Sequence, residues 1–269
     1  GRYLTGENGI LDLRINTFMD DLLTEDVNEA ETLKVELLQA GGDFIFIKYD
    51  KNPELVADLA CGTGTMSMLL SDKGYDVIGV DASEDMLSVA QEKKMESGKD
   101  IMFLCQRMEE LDLFGTINAA VCTLDSINHI TEEETVKKVF SKVSLFMEDK
   151  GIFLFDVNTP YKHREVLGDN TFIYDMDDVY CVWQNCTDKN TLLTEVSLDI
   201  FEKDTEEEED VYYRYSEEFS EKGYELSEIE KWLTENKFEV LGVFEEMTKK
   251  AVSENTQRAV FLARKHGTQ

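Results

Sequence analysis

The sequence predicts an open α/β fold: a parallel sheet covered by helices on both faces, with a run of antiparallel strands set into it. Three observations carry that prediction. Short apolar runs alternate with helical patterns from Leu55 to Val157, as parallel strands joined by crossover helices require. Beyond Asn158 the runs lengthen and partly alternate (Val196, Leu198, Ile200), the mark of strands with one solvated face. The chain has 269 residues, 42% of them hydrophobic and only 2 of them proline, enough for one substantial core.

Residues 1–50 read as a mostly helical segment, with acidic connections around Thr24–Asn28. Residues 51–158 read as the α/β core. Leu55–Leu59 is its first strand, followed by a glycine turn and a helix near Thr65–Asp72. Val77–Val80 is the second strand. Ser83 is placed to cap the next helix, and Glu84 and Asp85 sit in its first turn, where the helix dipole favours acids. Ile101–Cys105 and Ala119–Thr123 are two further strands. Thr131 and Glu134 have capping-box spacing before a helix with Val136, Val139, Phe140 and Val143 on one face. Ile152–Val157 is the fifth strand.

Residues 159–225 then form a β-rich insertion, with strands expected at Val179–Trp183, Leu192–Phe201 and Val211–Phe219. The acidic run Glu206–Asp210 reads as a solvated hairpin tip. Residues 226–269 return to the core. Ser227 and Glu230 suggest a second capping box; Leu226, Ile229, Trp232 and Leu233 mark an apolar face; Phe238–Phe244 and Ala259–Ala263 read as the last strands.

Asp and Glu number 57 against 27 Lys and Arg, a formal charge of -30. Such a field opposes approach to nucleic acid or an anionic membrane, so small solutes are the expected partners. No run is long and apolar enough to span a bilayer. Five cysteines, an odd number, with three in apolar runs, suggest buried free thiols in a reducing cytoplasm rather than a disulfide framework. Two close thiols (Cys181, Cys186) and three scattered histidines make a poor ligand set, and no metal is expected.

The strongest local signal is Asp58-Leu-Ala-Cys-Gly62-Thr-Gly64, between a strand and a helix. Small residues there let the backbone approach a ligand closely, and the helix start offers unpaired amides. A dinucleotide fingerprint would put a third glycine at position 67, which is Ser67; a P-loop would need Lys-Ser or Lys-Thr after the glycines, and neither is present. Asp58 would oppose a phosphate and suit an ammonium group. Asp81 ends the second strand, where a carboxylate can accept the two hydroxyls of a ribose. An ammonium group plus a ribose outlines S-adenosylmethionine.

Val56–Gly64 together with Tyr75-Asp-Val-Ile-Gly-Val-Asp81-Ala-Ser-Glu-Asp-Met86 resembles the class I S-adenosylmethionine-dependent methyltransferases, in particular the bacterial small-molecule type with a β-rich insertion. The resemblance covers Leu55–Thr159 well and the C-terminal segment more weakly. It implies a Rossmann-like mixed seven-stranded sheet, order 3-2-1-4-5-7-6, with a small antiparallel insertion after strand 5. It assigns Asp58, Ala60, Cys61, Gly62 and Gly64 to the methionine portion of the cofactor, and Asp81 and Ala82 to the ribose. Met86 would lie against the adenine, although its helical spacing also suits a core residue. Gln106, Arg107 and Met108 take the adenine-edge segment, and Cys122 and Thr123 the methionine end of the pocket. The sequence departs from the family at Ala60, where a glycine is frequent, and at Arg107, where an acid is common. The N-terminal stretch Ile15–Met19 also lacks the family's Tyr-Asp pair.

Methyl transfer by in-line displacement needs alignment, which alone supplies on the order of 7–11 kcal/mol. A base matters only where the acceptor must lose a proton. The candidates follow the fourth strand, with Asp125 and His129 foremost; Asp156 and Asn158 could line the acceptor side. The strand does not lead into Asp-Pro-Pro-Tyr or Asn-Pro-Pro-Tyr, the resemblance expected of amino methylation on nucleic-acid bases. A small-molecule acceptor is therefore expected, with the insertion's aromatics either forming its pocket or building their own core. The competing readings are a non-catalytic S-adenosylmethionine or S-adenosylhomocysteine binder and, against Ser67, a dinucleotide oxidoreductase.

Overall fold

A computed structural model describes residues 54–176, 178–204, 211–246 and 250–267. The expected N-terminal helical segment and the Glu206–Asp210 tip lie outside them. The core strands are β1 (Leu55–Leu59), β2 (Asp76–Asp81), β3 (Ile101–Cys105), β4 (Ile117–Cys122) and β5 (Met147–Asn158). Between them run α1 (Thr65–Asp72), α2 (Glu84–Ser97) and α3 (Glu133–Phe146). The insertion supplies β6 (Thr171–Asp175), β7 (Val179–Asp188), β8 (Leu193–Lys203) and β9 (Tyr212–Lys222). The chain then adds α4 (Leu226–Glu235), β10 (Phe238–Glu245) and β11 (Arg258–Lys265).

The main sheet has the order β10-β11-β5-β4-β1-β2-β3, the expected 3-2-1-4-5-7-6 arrangement read from the other edge. β1 to β5 pair in parallel and β11 joins antiparallel to β5. Strand alternation divides the core between the two faces. Ala57, Leu59, Phe153, Phe155 and Phe261 pack with α3 and α4, while Val56, Ile152, Leu154, Val260 and Leu262 pack with α1. Aromatic rings are concentrated on the first face, where Phe155 and Phe261 stack at 5.0 Å.

Two capping boxes are corrected. The N-cap of α3 is Glu132 and that of α4 is Glu225, neither making a side-chain cap bond. Glu134 instead pairs with Lys137 at 2.6 Å, an i,i+3 pair on the helix surface. Ser83 does cap α2, accepting the Met86 amide at 3.2 Å.

The insertion is a separate four-stranded antiparallel sheet, β6-β7-β8-β9. One of its faces carries Cys181, Val196, Leu198 and Ile200, with Trp183, Tyr215 and Phe219 packed against them. Part of the aromatic content therefore builds the insertion's own core. A buried polar network fastens this sheet to the main domain. The Asn128 amide donates to the carbonyls of Asn158 (3.2 Å) and Lys222 (2.9 Å) and accepts the Asn158 amide at 2.9 Å. His163 bridges Asn128 (3.5 Å at Nε2) and Thr194 (2.8 Å at Nδ1).

Burial pushes the His163 pKa down to about 4, from an ordinary 6.5, and Lys162 reinforces the shift over the opposing charge of Asp125. The folded state therefore keeps this ring neutral while the unfolded chain protonates it. Stability from this group is complete above pH 6.5 and is lost as pH falls toward 4, by about 1.4 kcal/mol per pH unit. Urea titrations of wild type and His163→Gln should show a shallower stability-against-pH slope for the variant between pH 6 and 5. Equal slopes would contradict the assignment.

Candidate active site

The strand order reverses between β1 and β4, and in open α/β sheets the crevice outside such a switch point is where ligands bind. Its β1 side is the turn Ala60–Gly64. Ala60, Gly62 and Gly64 all have left-handed backbone, with φ of 54°, 53° and 76°. Ala60 takes this conformation where glycine is frequent in the family, a strained choice for a residue with a Cβ. The two glycines differ in surroundings. A Cβ on Gly64 would sit 2.9 Å from the Ala90 Cβ and 3.0 Å from Phe103, whereas a Cβ on Gly62 meets nothing within 4 Å. Gly64 is thus required by packing, and Gly62 faces open space.

The two acids do different work. Asp58 is buried and its Oδ2 accepts the Ser67 hydroxyl at 2.6 Å. The serine that breaks the dinucleotide fingerprint is therefore a partner of the turn's own acid. Asp81 is half-buried at the end of β2; its Oδ2 accepts the Gly62 amide and its Oδ1 the Ser83 amide, each at 2.8 Å. A carboxylate offers about four lone pairs. Two remain, one on each oxygen. Both carboxylates act on Cys61: burial first, then Asp58 and Asp81, push its thiol far up, so it stays protonated.

The segment expected at the adenine edge lies beside the end of β2, since the Gln106 amide donates to the Asp81 carbonyl at 2.8 Å. The Gln106 side chain is engaged at both ends by Asp112 (3.1 and 2.9 Å), which braces the loop after β3. Arg107 is exposed and bonds Glu109 at 2.6 Å. Burial would raise the Glu109 carboxyl, but Arg107 outweighs it and holds the group below its ordinary range. Glu109 is the acid nearest the position where the family carries one. Met86 is buried, and Ala82 is exposed beside it. Cys122 contacts Met108 at 3.7 Å, and its thiol is pushed up by burial and then by Asp156 and Asp58, which leaves no nucleophile there.

Across the crevice, Thr123 leads into a turn in which Leu124 and Asp125 are both left-handed, at φ 59° and 50°. Both amides donate to Asp156, at 2.8 and 2.9 Å. Arg258 reaches Asp156 at 2.5 Å, Asp125 at 3.0 Å and Glu246 at 3.3 Å. Asn158 donates to Asp125 and receives the Lys162 ammonium at 2.9 Å. His129 is half-exposed, tilted against Phe219 at 5.3 Å, with its Nε2 3.8 Å from the buried carboxyl of Glu221. The insertion strand β9 thus supplies two residues beside His129.

The electrostatics separate the two base candidates. Burial would raise Asp125, but Arg258, Lys162 and His129 prevail and hold it down at about 2. Burial and then Asp125 push Glu221 up. Asp125 is therefore a fixed anion, whereas Glu221 is the carboxyl of the cluster that holds a proton more readily than an ordinary one. Arg258, Lys162 and Glu221 were not singled out from the sequence. No local motif marks them, because they reach the site from β11, the segment after β5 and β9.

A methyltransferase-domain family profile matches residues 56–151. YqeM of Bacillus subtilis (strain 168), named provisionally as a methyltransferase, is 34% identical over 214 residues, 79% of this chain and 85% of the relative. A protein of Geobacillus sp. (strain WCH70), also provisionally named a methyltransferase, is 31% identical over 210 residues, 78% and 84% of the two chains. The crystal structure of an S-adenosylmethionine-dependent methyltransferase from Clostridium acetobutylicum ATCC 824 superposes with a TM-score of 0.83 at 30% identity, covering 94% of this chain and 98% of that one. The strand order and these relatives define a Rossmann-like methyltransferase. The chain belongs to the class I S-adenosylmethionine-dependent methyltransferases.

Proposed function

We propose that the chain transfers a methyl group from S-adenosylmethionine to a small-molecule acceptor held in the crevice between the β1 and β4 exits. The observation that carries this is Asp81: two backbone amides fix its carboxylate and leave one lone pair on each oxygen, the acceptor pair that a ribose diol needs. The residues present fit the cofactor in two further respects. Gly62 leaves room for close backbone approach, and Asp58 with Asp81 makes the turn anionic, which suits an ammonium and opposes a pyrophosphate.

When bound, S-adenosylmethionine supplies an electrophilic methyl group for in-line displacement. Asp58, Ala60, Cys61, Gly62 and Gly64 hold the methionine end, with Cys122 and Thr123 closing it from β4. Asp81 and Ala82 hold the ribose. Met86, Gln106, Arg107 and Met108 frame the adenine. Asp125 forms a charged wall, and His129 takes the acceptor's proton at Nε2 where one must leave, with the buried Glu221 stabilising the resulting cation.

The charge of -30, and the absence of the nucleic-acid amino-methylation motif after β4, support a small-molecule acceptor over a polynucleotide. No helix among the described residues is long and apolar enough to cross a membrane, and all five cysteines are free, which supports a cytoplasmic location. A panel of small amines, alcohols and carboxylic acids, assayed for release of S-adenosylhomocysteine, should contain at least one acceptor. Methylation of RNA, DNA or protein with no turnover on the panel would overturn the small-molecule reading.

A further inference from the structure

We propose that Arg258, the first residue of β11, is a positioning residue for methyl transfer, fixing through Asp156 and Asp125 the turn that forms the β4 side of the cofactor crevice. The proposal rests on the cofactor reading above and adds a residue from the far side of the sheet. Leu124 and Asp125 are consecutive non-glycine residues in left-handed backbone, a conformation that side chains with a Cβ disfavour. Such a turn persists only where its surroundings hold it. Asp156, on the neighbouring strand β5, does so by accepting both amides with its two carboxylate oxygens.

Asp156 is itself buried, and the Asp125 carboxylate lies close to it, so the arrangement needs a cation. Arg258 is that cation. Its Nη1 serves Asp125 and Asp156 together, and its Nε serves Glu246. The planar guanidinium can direct donors to three acids at once; the compact ammonium of a lysine cannot match that fork. The other charged groups around Asp125 do not substitute for it. Lys162 spends a bond on the Asn158 carbonyl oxygen, Glu221 adds a further acid, and His129 lies toward Glu221. Removing Arg258 leaves Asp125 and Asp156 as facing carboxylates. Either one of them takes up a proton or the turn shifts, and the turn borders the crevice at the switch point.

The test is titration of S-adenosylhomocysteine into wild type, Arg258→Met, Arg258→Lys and the double variant Arg258→Met/Asp125→Asn, at pH 8 and pH 6, each with a folded-fraction measurement. Arg258→Met should bind at least about tenfold more weakly at pH 8, as misplacement at a site predicts. The loss should shrink at pH 6, where protonation relieves the carboxylate pair. The double variant should recover to within about threefold of wild type, since one acid has left with the cation. A purely structural role would lower stability without these affinity, pH and rescue effects. Arg264→Met, on the same strand but paired with Glu239, should leave affinity unchanged.

Wild-type affinity in Arg258→Met at both pH values, or no recovery in the double variant, would overturn the proposal. Where Arg258→Met does not fold, Arg258→Lys carries the comparison. Weakened binding at pH 8 with recovery at pH 6 then supports the role, and wild-type affinity at both values overturns it. Failure of the wild type to bind S-adenosylhomocysteine refutes the cofactor reading itself, a result distinct from all of these.

Discussion

Replacing Asp81 with Ala should reduce affinity for S-adenosylmethionine and S-adenosylhomocysteine by about a hundredfold to ten-thousandfold. Two hydrogen bonds donated by the ribose hydroxyls to a charged acceptor are lost, each contributing roughly 1.5–3 kcal/mol, and about 1.4 kcal/mol corresponds to a tenfold change. A second effect acts in the same direction. The Gly62 and Ser83 amides lose the carboxylate that ties the β1 turn to the start of α2, so the turn is less well ordered before binding. Asp81→Asn keeps a single acceptor oxygen and should fall between the two. Isothermal titration reads both variants, and unchanged affinity in Asp81→Ala would remove the ribose assignment.

The second large effect separates two glycines that look alike in the sequence. Gly62→Ala and Gly64→Ala both place a Cβ on left-handed backbone, at about 1–2 kcal/mol of strain. At Gly64 the new Cβ also meets Ala90 and Phe103, and overpacking of this kind adds about 1–3 kcal/mol. Gly64→Ala should therefore lose stability heavily, by roughly 2–5 kcal/mol in urea unfolding. At Gly62 the Cβ enters open space, so stability falls only by the strain while the methyl occupies the crevice. Affinity for S-adenosylhomocysteine should then drop at least tenfold in Gly62→Ala, measured on folded protein. Matching stability losses in the two variants would contradict the distinction.

The core was legible because its strands are short apolar runs bounded by turn residues. Leu55–Leu59, Ile101–Cys105 and the helix Thr65–Asp72 lie where the sequence places them. β5 starts earlier than Ile152, at the buried Met147, because the polar, exposed Glu148–Lys150 separate that residue from the apolar run. β6 was not read: it is an edge strand of consecutive Phe172, Ile173 and Tyr174 in which only Phe172 is partly buried, so the alternation that marks a half-buried strand is missing. The capping boxes failed for a related reason. The Thr131 and Ser227 spacings are correct, but the N-caps fall out of the required register, one residue later at Glu132 and two residues earlier at Glu225.

The site divided in the same way. Its β1–β2 half is local in the chain and was readable as Asp58, Gly62 and Asp81. Its β4–β5 half is assembled from distant segments, and the Arg258–Asp125 pair spans 133 positions. A lone arginine ahead of Ala-Val-Phe-Leu-Ala carries no mark of that destination. The acidic balance showed nothing of it either, since the acids that matter are distinguished by burial and partners rather than by number.

A crystal structure of the chain with S-adenosylhomocysteine tests the central claim most directly. The account predicts the ribose hydroxyls on the Asp81 carboxylate and the sulfur in the crevice between Ala60–Gly64 and Thr123–Asp125. Ligand bound elsewhere, or a ribose with no contact to Asp81, would contradict it.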